Sequence, residues 1–364
     1  MGRTYAILLA AAAVASPSLA GGAGGAGGAG HKASHLRFTT EHGITFSEIR
    51  DIGNPGFAWD APGPTEKVVI GGVNYRYRIA TTEVTTAQWA TFLNAFAPHI
   101  RPLGFQVGSP SVAGGTFYQG PGPDGVPRYA ALPAEAGYAS QMGWRLAAIY
   151  CNWLHNGAPT GSNLALSYFA NGAYDISTFT VNPDGTYNDQ YSRHPDAKFW
   201  IPTRDEWHKA GYWDPNRYGE GEGGWWLYPN GTDERLEFGR PEDGGETNFG
   251  MDDDVIPGVP RDAGSYSTVT SPWGLLDVSG GVSEWTEDTA VGVPGGFRHV
   301  AGTQLFEDEN PLTYGDHLGW NFRQFASPNF ANGGLRIAAA IPSPGVFPGL
   351  VFAFAPRFLR RRRS

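Results

Sequence analysis

The sequence predicts a single loop-rich domain that mixes strands with a few short helices and packs its core on aromatic rings. Three observations carry this. Of 364 residues, 52 are glycine and 28 proline, with glycine at about twice its usual share, so turns dominate the chain. Twelve tryptophans stand beside 16 tyrosines and 21 phenylalanines, and rings of that size remove enough area from water to hold such a fold together. No internal repeat and no second linker interrupts residues 35–340, which therefore read as one domain.

The elements follow in order. Strand-like runs occur at Lys67–Ile70 and Tyr75–Ile79, the second alternating Tyr75, Tyr77 and Ile79 with Arg76 and Arg78. A helix then starts at Thr85 as N-cap, with Gln88 three residues on completing a capping box. Trp89, Phe92, Leu93 and Phe96 fall on one face, and Pro98 is expected to stop it. A second helix takes Ser140 as cap, buries Leu146, Ile149, Tyr150 and Trp153, and ends at Asn156-Gly157 in a left-handed cap. A third, short helix follows Pro202, with Thr203 and Glu206 as another capping box and Trp207 and Ala210 facing inward.

Both ends carry signals. Arg3, the apolar Ala6–Ala15 and the small residues Ser18-Leu19-Ala20 read as an export signal over residues 1–20. Ten apolar residues are too few to span a bilayer. A glycine-rich linker follows at 21–34. At the other end, residues 341–364 run from Ile341-Pro342-Ser343-Pro344 through an apolar stretch to Arg360–Arg363. This resembles the PEP-CTERM sorting signals of Gram-negative and planctomycete-type bacteria, with Ser343 where glutamate is usual and Pro348 and Pro356 breaking the apolar segment. The expectation is an exported protein of the cell surface or exterior, touching the membrane only through that tail.

The net charge is −9. Without the two ends, six arginines go, leaving 20 basic against 35 acidic residues. Such an acidic body argues against nucleic acid or anionic lipid as a partner. With a single cysteine, Cys151, no internal disulfide can form.

The run Trp273–Asp288, WGLLDVSGGVSEWTED, is the most informative segment. Asp277 and Glu284 stand seven residues apart around a glycine turn, with the carbonyls of Gly280 and Val282 able to point inward. Carboxylates and carbonyls on a flexible loop are hard oxygen ligands that suit calcium. The run also resembles the "GNVWEW" signature of the formylglycine-generating enzyme, or sulfatase-modifying factor, family. Four further blocks resemble that family in its order: YRIATTEVTTAQWATFLNAFA at 77–97, AAIYCNWLHNG at 147–157, FWIPTRDEWHKAGYWDP at 199–215 and GGLRIAA at 333–339. The resemblance implies a mixed α+β, loop-rich formylglycine-generating-enzyme fold with C-type-lectin-like topology.

It also implies sites. The family's structural calcium would fall on Asp277, the carbonyls of Gly280 and Val282, and Glu284, with Gly281 in place of the usual asparagine and Ser283 in place of the first tryptophan. A second calcium site would begin at Thr247-Asn248-Phe249, taking the Asn248 side chain, the Phe249 carbonyl and a carboxylate from Asp252–Asp254, with Asp254 the residue assigned.

The family's enzymes hold copper with two cysteines in the stretch before the closing strand, thiolates being the soft ligands that Cu(I) prefers. Residues 296–338 contain no cysteine, so no copper is expected. Cys151 falls beside the buried stripe of the second helix, where a free thiol acts as a small apolar residue. The expectation is a binding or structural module without the oxidase site, a pseudoenzyme. The alternative is an oxidoreductase of the same superfamily using non-haem iron or another metal near 299–317, where His299, Glu307, Asp308, Asp316 and His317 lie. Trp225, Trp226 and Tyr228, in the glycine-rich GEGGWWLYPNG, could stack on an extracellular polysaccharide or peptide.

Overall fold

The first two strands, β1 (Phe38–Glu41) and β2 (Ile44–Ile49), are joined by His42-Gly43, both at positive φ. A two-residue turn of this kind matches the twist of a hairpin. The computed structural model describes residues 35–59, 68–103, 116–161, 163–248, 262–289, 296–303, 317–318, 325–328 and 333–342. The expected export signal, the linker and nearly all of the sorting tail lie outside them.

Next come the hairpin of β3 (Phe57–Trp59) and β4 (Val68–Ile70), then β5 (Tyr77–Ala80) and the long helix α1 (Thr86–Leu103). A second hairpin joins β6 (Thr116–Pro121) to β7 (Pro127–Ala131). Helices α2 (Trp144–His155) and α3 (Ser167–Ala170) precede the short pair β8 (Thr180–Val181) and β9 (Tyr187–Asn188). After β10 (Phe199–Trp200) and α4 (Arg204–Tyr212) comes the hairpin of β11 (Trp213–Gly219) and β12 (Glu222–Trp225). The chain closes with β13 (Glu284–Thr289), β14 (Arg298–Ala301), β15 (Phe325–Ala326) and β16 (Ala338–Ala339).

The central sheet is antiparallel, in the order β1-β2-β5-β16-β10. Its topology decides the site. The last strand inserts between β5 and β10, so residues 333–340 run beside residues 78–84, with Ala80 N–H donating to Ile337 O and Val84 N–H to Leu335 O, both at 2.8 Å. The core on the helical side is aromatic. Phe92 meets Trp89 at 5.0 Å, Tyr150 at 5.1 Å and Trp153 at 5.7 Å between ring centroids.

Local signals in the sequence are realised where they are local. Thr85 N–H donates to Gln88 Oε1 at 2.9 Å and Gln88 N–H to Thr85 Oγ1 at 3.3 Å, the reciprocal box at the start of α1. The box at Thr203 and Glu206 forms likewise. Gly157 adopts φ +89 at the end of α2, with Ala158 N–H bonding back to Trp153 O.

The strand expected at Tyr75–Ile79 runs Tyr77–Ala80 with all four residues buried, Arg78 included, and two helix boundaries also differ from expectation. α1 does not stop at Pro98 but continues through it and Pro102 to Leu103. The missing N–H and the ring's clash with the preceding turn disfavour this, yet Ile100 and Leu103 pack against the core and hold the last turns in place. Ser140 does not cap α2: Gly143 occupies the N-cap position with no side-chain bond, and the Ser140 hydroxyl is buried without a partner. The expected stripe on α2 is wider than one face, since every residue from Trp144 to Leu154 is buried.

Candidate metal centre

Asp277 sits in the left-handed region at φ 51, its carboxylate folded back to accept from the backbone N–H groups of Gly264 and Tyr266. Desolvation pushes its carboxyl up to about 6, moderated by the Gly264 bond and by Arg336. Beyond it the chain turns through Ser279-Gly280-Gly281. Gly280 N–H donates to Thr303 Oγ1 and Gly281 N–H to Asn248 Oδ1, each at 2.8 Å. A methyl at 280 would collide with the Asn248 amide. Asn248, assigned from the sequence to a second calcium site, is buried against this turn, its side-chain oxygen accepting from Gly281 N–H. Phe249 and Asp254 lie outside the described residues, as do Glu307, Asp308 and Asp316.

Glu284 opens β13 and is buried. Arg336, from the closing segment, grips it with both ends of its fork: Nε lies 3.0 and 2.9 Å from Oε1 and Oε2, and a terminal nitrogen 2.7 Å from Oε1. Trp207 Nε1–H adds a third donor to Oε2 at 2.5 Å. The same guanidinium donates to the carbonyls of Ala80, Leu276 and Asp277 at 3.2, 2.9 and 3.2 Å. Both oxygens of Glu284 are thus committed to protein donors.

Sequence reasoning missed the third carboxylate. Glu83, just after β5, is fully buried, and neither of its oxygens has a hydrogen-bond partner. Its nearest cation is Arg336, 3.7 Å away and already engaged. Burial drives its carboxyl well above the ordinary range, opposed by Arg336 and reinforced by Asp277 and Glu284. The signal was present in two of the quoted blocks: a lone glutamate in EVTT and a lone arginine in GGLRIAA, charged residues in apolar runs that must be paired if buried.

Three carboxyl groups thus surround one guanidinium, and burial favours the protonated form of Glu83. The groups offered around the turn are oxygens, the donor chemistry that suits a hard cation. A cavity of about 10 Å³ also opens beside Asp277, Glu246, Tyr266 and Ser279, room for one water-sized occupant. Among the described residues, no three His, Cys, Asp or Glu side chains converge as a metal cage, so carbonyls or water would have to supply most ligands of any cation held here.

The other expected positions are placed as follows. Cys151 is wholly buried in α2 and burial pushes its thiol well up, so it is neither a thiolate nor near a second one. His299 lies on β14, and the His317 ring packs edge-on to Tyr228 at 5.3 Å. Of the tryptophans expected on an exposed loop, Trp225 ends β12 and Trp226 follows it directly. Trp225 packs on Trp213 at 5.2 Å and donates to Pro55 O at 3.0 Å, and Tyr228 is buried. Trp226 carries the Arg217 guanidinium over its face at 4.1 Å, and the neighbouring Tyr218 is 67% exposed. Two rings of the trio are therefore spent on packing.

Fold and centre together define a loop-rich α+β domain of the formylglycine-generating-enzyme class, packed around a buried arginine and its carboxyl partners. The chain belongs to the sulfatase-modifying factor enzyme 1-like domain family, whose description matches residues 54–341. Among solved structures it is similar to Treponema denticola variable protein 1, at 16% identity over 84% of this chain and 99% of that one, with a TM-score of 0.42. It is also similar to CarF (17% identity, 82% and 99% covered, TM-score 0.44) and to PvdO from Pseudomonas aeruginosa (14%, 82% and 95%, 0.41). No curated protein matches the chain.

Proposed function

We propose that this is an exported, surface-sorted protein of a Gram-negative-type bacterium whose sulfatase-modifying-factor-like domain serves as a calcium-stabilised binding or structural module, without the cysteine–copper oxidase site. The observation that carries this reading is the cysteine count. One thiol, buried in α2 and held protonated by its surroundings, cannot form the thiolate pair that Cu(I) needs. Calcium is supported by the oxygen-rich turn from Asp277 to Glu284 and by the three carboxyl groups, Glu83, Asp277 and Glu284, gathered around it. The binding role is supported by the β11–β12 hairpin, where Trp226, Arg217 and Tyr218 form a partly open aromatic–cation surface. Such a surface suits a polysaccharide ring or a peptide.

The test is metal content by mass spectrometry of the purified chain after exposure to calcium, copper and iron and exhaustive dialysis. Calcium retained at one or two ions per chain, and no transition metal, is the expected result. Stoichiometric iron or copper would overturn it and move the reading to an oxidoreductase built near 299–317. On a glycan array, Tyr218→Ala and Trp226→Ala should lose binding, whereas Trp225→Ala should chiefly lower stability.

A further inference from the structure

A groove of about 360 Å³ opens at the surface where the end of α2 meets residues 171–175 and 190–196. That volume lies within the range of small-molecule sites, about 300–1,000 Å³. None of its lining belongs to the Trp273–Asp288 run or to the β11–β12 hairpin. Its walls are held from behind. Asn152 fixes the floor: its Oδ1 accepts from the N–H groups of Ala173 and Tyr174, and its Nδ2 donates to Phe169 O and Tyr174 O, all at 2.7–2.8 Å. Gln190 ties the two sides together, donating to Ala173 O at 3.2 Å and accepting from Asp175 N–H at 2.8 Å. The rim is anchored by Arg193, which reaches Glu206 and Glu287 at 2.8 and 3.1 Å, and by His194 N–H to Ala173 O at 2.8 Å. The polar groups are thus set before a ligand arrives, which limits the ordering cost of binding.

Four side chains bring hydrogen-bonding groups to the lining: His155, His194, Asp175 and Asp196. Nδ1 of His155 accepts from Lys198 N–H at 3.1 Å, and Nδ1 of His194 accepts from Asp196 N–H at 3.2 Å. A backbone amide can only donate, so each neutral ring carries its proton on Nε2 and offers it as a donor. That tautomer tells against a metal, which would need Nε2 bare. Burial, Lys198 and His194 lower the His155 pKa and favour its neutral form. A β-carbon on Gly172 would lie 3.0 Å from the His155 Cβ and Cγ, so glycine there lets the ring sit against the floor. Asp175 spends Oδ1 on Ser177 N–H at 2.9 Å, and the Asp196 carboxylate stands at the rim 3.8 Å from His194 Nδ1.

We propose that this groove binds a neutral sugar ring through its hydroxyls, with His155 and His194 donating and Asp175 and Asp196 accepting. A hydroxyl both gives and takes a hydrogen bond, so one ring can meet donors and acceptors together. The two carboxylates outnumber the one ammonium beside them, Lys198, and so disfavour uronic, sulfated or phosphorylated sugars. A peptide strand would need open backbone groups to pair with. Here the N–H and C=O of Ala173 are taken by Asn152, His194 and Gln190, and those of Tyr174 by Asn152. The site is separate from the β11–β12 hairpin and does not rest on the reading of that surface.

The test is affinity electrophoresis of the full-length chain through gels carrying dextran, mannan, galactan or arabinan, with alginate as the acidic control and a random peptide array alongside. The hairpin is removed from the comparison by working in a Tyr218→Ala background. At least one neutral polysaccharide should still retard that chain, and alginate should not. Adding His194→Ala or Asp196→Ala should weaken the interaction at least tenfold. Their side chains are 61% and 91% exposed, so neither change puts folding at stake. Retardation by none of the four polysaccharides overturns the proposal and leaves the hairpin reading standing. Retardation that survives both groove variants, or equal retardation by alginate, overturns it too. Capture of a peptide that the groove variants abolish rejects the sugar as ligand.

Discussion

Replacing Arg336 by methionine should be the most damaging single substitution in the domain. The guanidinium makes three contacts of 2.7–3.0 Å to Glu284 and donates to three carbonyls. Methionine fills a similar volume and satisfies none of them. Removing one partner of a buried ion pair costs about 3–5 kcal/mol, and each carbonyl left without a donor adds about 1–3 kcal/mol where it has no second partner. A loss of at least about 5 kcal/mol follows, against a total stability of about 5–15 kcal/mol for an ordinary domain. Urea unfolding followed by tryptophan fluorescence measures it, with the double variant Arg336→Met/Glu284→Leu alongside. In an isolated pair, removing both members would restore most of the loss. Here Glu83 and Asp277 remain without a counter-ion, so the double variant should recover only part of it. A single-variant loss below about 1 kcal/mol would refute the view that this arginine neutralises the cluster.

Other outcomes follow from the same geometry. Gly281→Ala should cost about 1–2 kcal/mol for the left-handed backbone alone, and more from the collision with Glu83, read from the same urea midpoints. Burial raises Glu287 from 4.5 to about 7, against Arg193 and with Glu206 opposing ionisation. Its contribution is fully present below pH 4.5 and lost as pH rises through 7, about 3 kcal/mol in all; Glu287→Gln should flatten that limb. His208 works in the opposite sense. Its Nδ1–H donates to Arg204 O at 2.7 Å and burial lowers its pKa to about 3. Its contribution is present above pH 6.5 and falls by about 5 kcal/mol as pH drops through 3, a slope that His208→Phe should remove. The two overlap between pH 4.5 and 6.5, so each variant is compared with the wild type rather than with the other. Cys151 should resist thiol reagents in the native protein and react at the rate of unfolding; fast labelling of native protein would contradict its burial.

What the sequence alone determined was whatever depends on neighbours within a turn or two. Thr85 with Gln88 and Thr203 with Glu206 place two helix starts, and Gly157 ends a third element, because an N-cap oxygen can reach only the amides three residues on. Family membership was legible for a related reason: five short blocks keep their order regardless of how they meet in space. Pro98 misled because propensity is a weak term that tertiary packing of Ile100 and Leu103 overrides. Ser140 misled because a polar residue before an apolar run looks the same whether it caps a helix or is buried short of it. The hairpin at His42-Gly43 escaped notice because ITFSEI loses its alternation after Phe46, with Ser47 buried and polar Glu48 next to it. The pairing of Arg336 with Glu284, and the exposure of the Glu83 carboxylate to the bare turn at Gly281, were decided only by the tertiary structure. They require the last strand to enter between β5 and β10, a choice made by burying apolar area across the whole sheet. No local spacing encodes which distant charges that burial forces together.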